Sequence, residues 1–199
     1  MSHLTPGQVT TLKAFIAADP VMSVIPVTLD GSYDMALLLN APAVPAFQVW
    51  ATNTPVDVIF DAITWANLTP QDAAPVAAVP STPTAAETYA QQLWLSRAIL
   101  CQSKQFALQI LLSGRSSGSV NAAKSKVRDG IQDALVSIPS GAAGADKAGG
   151  WASVQLALQR KATVLEKLLA VGTGSAASPA TMAVEGAMDY NDLQGVRTT

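Results

Sequence analysis

Histidine and cysteine each occur once in the 199-residue chain, as His3 and Cys101. A single histidine at the N-terminus leaves no imidazole for a core Ser-His-acid triad, and one thiol cannot build a thiolate or His-rich zinc site. Cys101 cannot form an internal disulfide. It stands in a helical run beside Leu100 and reads as a small buried apolar residue of a protein folded in a reducing cytoplasm. No apolar run approaches the ~20 residues that span a bilayer, so no membrane partner is expected. The start, MSHLTPGQ, lacks the basic and apolar regions of a secretory signal. Phosphate-cradling sequence is missing too: there is no P-loop, and Gly172-Thr173-Gly174 follows a helical run without a third glycine, unlike a dinucleotide fingerprint. The expectation is a protein with no catalytic residue, no cofactor and no metal, and not an enzyme.

Charge is scarce as well, at 13% of residues against 49% apolar. That is too apolar for disorder and low in charge for the surface of a free monomer. A chain of this kind hides part of its surface in an assembly. The net charge of −2 is uneven: residues 1–89 hold one basic residue, Lys13, against seven acidic ones, and residues 90–199 hold eleven basic against seven. Two readings stand side by side, halves that complement each other within one fold or a polar subunit that stacks head to tail with its copies. Asp57/Asp61 and Asp129/Asp133 sit one helical turn apart and read as solvated helix faces before they read as cation or acid-base pairs. Lys124, Lys126 and Arg128, with Arg115, could meet phosphates, but without interleaved aromatics they read first as an exposed face. With a pI near 5.2, only non-specific proximity to DNA is expected.

Helix signals dominate the rest, and the expected class is all-α: a helical bundle with a long central helix, proline-rich links and an ordered tail. Strand is expected only near 46–50 and 180–184. Thr5, Pro6 and Gln8 form a capping box for a helix over 4–18, ended by Asp19-Pro20. A second helix is read over 30–39. Thr54-Pro55-Val56-Asp57 reads as the cap of a third. Residues 69–83, with four prolines, read as a loose linker. Thr84 and Glu87 cap a helix over 85–113, apolar on so many sides that it reads as central, with Leu100→Ala or Phe106→Ala expected to cost roughly 2–5 kcal/mol. Further helices are read over 120–137 and from Trp151 to about Val171, separated by a flexible loop at 139–150. The tryptophans read as core or interface anchors. One domain over 1–177 and a docking tail over 178–199 follow.

The tail carries order of its own: Gly172-Thr173-Gly174, Ser178-Pro179-Ala180-Thr181, Glu185-Gly186 and Asp189-Tyr190-Asn191-Asp192. With Leu165-Glu166-Lys167-Leu168-Leu169 ahead of it, this ending resembles that of a family of small virion or neck proteins of tailed bacteriophages. LTPGQVTTLKAFIAADP at the N-terminus and the block from Asn40 to Trp50 resemble the same family. The resemblance implies a structural protein of a phage particle, most closely a head–tail adaptor. Its implied partners are copies of itself in a ring, expected to be twelvefold, the portal protein and other neck or tail proteins. Its implied place is the virion neck, after synthesis in the host cytoplasm. A terminator, a minor virion protein or a carboxylate-dependent virion hydrolase are the alternatives. Met182, Val184, Met188, Tyr190 and Leu193 are the candidate inter-subunit patch, because together they form more apolar surface than a free end should expose. Deleting 178–199 is accordingly expected to leave a folded protein that no longer joins its assembly.

Overall fold

The computed structural model describes residues 4–75, 85–113 and 118–198. Along the chain the helices are α1 (Pro6–Ala18), α2 (Leu29–Asn40), α3 (Val56–Ala62), α4 (Ala85–Ser113), α5 (Ser125–Leu135), α6 (Trp151–Ala157), α7 (Val164–Leu169) and α8 (Tyr190–Thr198). The strands are β1 (Gln48–Trp50), β2 (Thr54–Pro55), β3 (Ser119–Val120) and β4 (Gln159–Lys161). The chain is mostly helical, with short antiparallel strand pairs β1–β4 and β2–β3, so the all-α expectation holds as a helical majority and not as a plain bundle.

Two compact units replace the expected single domain with an appended tail. One comprises residues 1–50 and 159–199, the other residues 51–158. The chain leaves the first unit at Trp50 and re-enters it at Gln159, and these two residues are partners in the β1–β4 ladder. A segment whose ends are held side by side in a strand pair can be long and self-contained without disturbing its host. The charge imbalance between sequence halves disappears in this division. The first unit holds five basic and seven acidic residues and the second seven of each, so neither is strongly polar.

In the first unit, α1 begins as its sequence dictates. The Thr5 hydroxyl accepts from the Gln8 N–H, and Gln8 Oε1 accepts from the Thr5 N–H at 2.8 Å. Leu12 of α1, Met35 and Leu39 of α2, Leu165 and Leu169 of α7, and Leu193 and Val196 of α8 bury one another in its core.

In the second unit α4 has the expected bounds, but it is not surrounded. Cys101, Leu108 and Leu112 are buried on one side, where α4 packs on α5. Leu93, Leu95, Ile99, Leu100, Phe106 and Ile110 are exposed. The costs expected for Leu100→Ala and Phe106→Ala therefore move to other positions. Leu108→Ala, at a side chain with 0% exposure, should cost about 2–5 kcal/mol by leaving a cavity, and Phe106→Ala, at 61%, less than about 0.5 kcal/mol. Urea denaturation of the two variants checks the contrast.

Other boundaries shift for local reasons. Residues 119–120 pair with β2 instead of opening a helix, and α5 starts only at Ser125. Thr54 lies in β2 with its hydroxyl buried and unpartnered, so the residue preceding α3 is Pro55, which offers no side-chain cap. The 139–150 segment is not a free hinge: Ile138 and Lys147 bridge, and the Gly141 N–H donates to the Ala145 carbonyl at 2.8 Å. Within the 69–83 segment, Asp72 is held by Arg97 at 2.6 Å. The Arg97 hydrogen bond keeps the Asp72 carboxyl below its ordinary value. Residues 76–83, Thr84 of the second capping box, Arg115 and His3 lie outside the described residues.

Candidate functional site

The run from Trp151 to Val171, expected as one helix, is broken by β4, and its two ends fall in different units. The break has a chemical cause. The Thr163 hydroxyl accepts from the Glu166 N–H, and a Glu166 carboxylate oxygen accepts from the Thr163 N–H at 3.0 Å, which starts a new helix at Val164. Thr-x-x-Glu is a sequence signal for a helix start, and it lies in plain view inside the run.

Glu166 is also the anchor of the C-terminal segment. It is buried, and Arg160 donates to it through two nitrogens, at 2.6 and 2.8 Å. The Gly186 N–H donates to Oε1 at 3.2 Å, and Glu185 lies 3.7 Å from the same guanidinium. Arg160 Nη2 further donates to the Met182 sulfur at 3.1 Å. Burial by itself would push the Glu166 carboxyl up; the Arg160 guanidinium and the N–H groups of Thr163 and Gly186 outweigh it and hold the carboxyl below its ordinary value. The Arg160 guanidinium is raised in turn, chiefly by its hydrogen bond to Glu166. The Glu-Gly pair of the tail thus has a physical role: Gly186, at φ 99°, takes a conformation that favours glycine while its N–H faces the carboxylate.

Further clamps secure the rest of the segment. The Asn40 side chain donates to the Met188 carbonyl at 3.0 Å and accepts from the Met188 N–H at 2.9 Å, as a neighbouring strand would. Ala180 exchanges backbone bonds with Gln48 and Trp50. Gly174, at φ 68°, lies so close to the Phe47 ring that no side chain fits there. Arg197 of α8 donates to the Ile25 carbonyl at 2.6 Å.

These contacts relocate the five predicted patch residues. Leu193 and Met188 are buried in the core of their own unit, Val184 and Tyr190 pack against that core, and Met182 packs against a smaller cluster around Val49 and Ala180. Tyr190 meets Tyr33 edge-on, with ring centroids 6.2 Å apart. The inter-subunit assignment is corrected for Leu193 and Met188 in particular, because a side chain already enclosed by its own chain presents no surface to another. Asn40, Arg160 and Glu166, which hold the segment down, were not among the sequence candidates.

This unit also leaves a groove open away from the C-terminal segment. A groove of about 720 Å³ is walled by Phe15, Met22, Leu38, Val164 and Leu168, with Val44 on its margin. Val44 is 88% exposed. Asp19 also lines the groove, but its carboxylate accepts the N–H groups of Val21 and Met22, both at 2.9 Å, and so serves the turn after α1. Lys167 is the cation of the lining and stands 5.9 Å over the Phe47 ring. A mostly apolar concavity with few polar groups suits an apolar segment better than it suits acid-base chemistry. Asp57, Asp61, Asp129 and Asp133 are exposed on α3 and α5. Lys124 and Lys126 are exposed, whereas Arg128 folds back onto the Ala122 and Ala123 carbonyls. Among the described residues, the basic group is therefore divided and forms no single phosphate-facing cluster. Among the described residues, no group of three or more His, Cys, Asp or Glu is placed to hold a metal, and no helix is long and apolar enough to cross a membrane. No protein-family model, no curated protein and no solved structure matches the chain.

Proposed function

We propose that this protein is a structural subunit of a tailed-bacteriophage particle, and within that class a head–tail adaptor: a ring of copies, expected twelvefold, beneath the portal in the virion neck. One observation carries the reading. The blocks that resemble the phage family are residues 4–20, 40–50 and 165–192, and the last lies more than a hundred residues beyond the second, yet all fall in one compact unit. There they hold one another: Asn40 clasps Met188, Phe47 covers Gly174, Val49 bridges Ala180, and the Glu166 carboxylate accepts from Gly186. The resembling sequence therefore specifies a self-consistent fold, and residues 51–158 are a second body carried between its strands. The apolar groove beside Val44 is the surface by which this unit meets the neighbouring copy in the ring, where an apolar side chain gains by leaving water.

Val44→Asp tests this. At so exposed a position the substitution should change stability by no more than about 0.5 kcal/mol. A charge at a desolvated joint should reduce incorporation into particles about tenfold or more, the equivalent of about 1.4 kcal/mol. Quantifying the chain in purified particles beside its melting temperature gives both numbers. Unchanged incorporation would remove the groove from the assembly.

A further inference from the structure

A second hollow, of about 310 Å³, lies between α2 and the residues that lead into α8, and it shares no lining residue with the groove beside Val44. Tyr33 and Leu37 of α2 line one side; Asp189 and Tyr190 line the other. The clasp between Asn40 and Met188, also in the lining, ties the two sides together. The two tyrosine rings are inclined at 67° with centroids 6.2 Å apart, so their planes form a corner. Tyr33 is 53% exposed, so its own chain leaves much of the ring uncovered.

The charge of the hollow has one sign. Asp189 is the ionised residue of the lining, and no lysine, arginine or histidine accompanies it among the described residues. Its Oδ1 is already used, accepting from the Asn191 N–H at 2.7 Å and from the Asn191 side chain at 3.0 Å, while the Asp189 carbonyl accepts from the Leu193 N–H. Asp189 thereby caps α8 and is held in place before any ligand arrives. Its Oδ2 has no partner among the described residues. A free carboxylate oxygen beside two aromatic rings is complementary to a cation that can both lie on a ring and donate hydrogen bonds. A guanidinium does both; an ammonium is more strongly hydrated and stacks less well, and a quaternary ammonium has no N–H to donate. The volume stands at the small end of the ~300–1,000 Å³ of ligand pockets and suits one side chain. The lining also offers no cation to a ligand with an anionic end of its own. An arginine within a chain, its carboxyl spent in a peptide bond, meets that condition where the free amino acid does not.

We infer that this hollow is the socket for an arginine side chain of a partner protein, with the guanidinium against Tyr33 and Tyr190 and its N–H groups on Asp189. The socket is separate from the groove beside Val44 and does not rest on the particle reading, since it is decided on the purified protein alone.

The chain has three tyrosines, Tyr33, Tyr89 and Tyr190, so carbon-13 labelling of their rings gives an NMR probe at the socket and a control away from it. Titration with N-acetyl-arginine amide should move the Tyr33 and Tyr190 signals along one saturable curve. The dissociation constant should be on the order of a few millimolar, the strength open to a single side chain. Tyr89, exposed on α4, should not respond. Asp189→Asn keeps an oxygen to cap α8 and removes the charge, so it should retain the wild-type circular dichroism spectrum and bind about fivefold more weakly or worse. The citrulline amide, which has the shape of arginine without its charge, should not bind. Still signals at Tyr33 and Tyr190, equal movement at Tyr89, equal binding of the citrulline amide or undiminished binding by Asp189→Asn would overturn the inference. So would N-acetyl-arginine binding as tightly as its amide, which points to a free small molecule. Tetramethylammonium binding as tightly would overturn it too, since the corner would then be a general trap for organic cations.

Discussion

Removal of residues 178–199 is expected to unfold the unit formed by residues 1–50 and 159–199, not merely to detach it from an assembly. The deleted segment contributes Met188, Leu193 and Val196 to that unit's core and Ala180 to the cluster around Val49. Full burial of a large apolar side chain stabilises by about 1.5–3 kcal/mol, so three of them approach the whole 5–15 kcal/mol margin of a typical domain. The deletion also leaves Asn40 without the Met188 backbone, and Glu166 without the Gly186 N–H. Removing buried partners costs more than the hydrogen bonds themselves contribute. The truncated protein should therefore lose helical circular dichroism and be cut by protease within residues 4–50, while residues 51–158, whose core includes no deleted residue, resist longer. A truncated chain melting within a few degrees of the wild type would return the segment to the role expected from sequence, a tail offered to a partner.

Glu166→Ala should destabilise the same unit by about 3 kcal/mol. Breaking a buried ion pair by removing one partner costs about 3–5 kcal/mol, and the lower end applies because Arg160 keeps 35% of its side-chain surface in water. The effect has a pH signature. The folded Glu166 carboxyl lies below the ordinary value of 4.5, so the stability it contributes is fully present above that pH. That stability is lost as pH falls through the depressed folded value. Wild-type stability should accordingly decline below about pH 4.5, and Glu166→Gln, which cannot ionise, should be less stable at pH 7 but decline less on acidification. Equal acid sensitivity of the two proteins, measured by urea midpoints from pH 7 to pH 3, would contradict the assigned role.

Local signals were legible where one short stretch fixes the outcome. Thr5-Pro6-Gln8 specifies the start of α1, Asp19-Pro20 its end, and Phe47 to Trp50 a short strand, because caps, prolines and β-branched or aromatic residues act on their own neighbours. The division into units was not legible. Val154, Leu158, Leu165 and Leu169 keep helical spacing across a true break, since each is buried, but the first two belong to one unit and the last two to the other. Periodicity records that a residue is buried and not which body buries it. The same limit explains the tail and α4. Met188 and Leu193 were read as surface for a partner and serve their own core. Phe106 and Leu100 were read as core and lie exposed. An apolar side chain announces that it will leave water; only the fold says whether its own chain or another one covers it.

Asn40, Arg160 and Glu166 escaped sequence reading for a related reason. A carboxylate and a guanidinium six residues apart look like surface charges until Gly186, twenty residues further on, is brought to the same oxygen. The Thr163-x-x-Glu166 box was the available clue, since it demands a helix start where the apolar pattern runs on.

Electron microscopy of tailed particles assembled with this chain is the most direct test of its proposed role. The predicted result is a ring of copies at the head–tail junction, in contact with the portal, and absent from particles assembled without the chain. Finished particles that lack the protein, or that carry it only on the capsid surface or at the distal end of the tail, would contradict an adaptor in the neck.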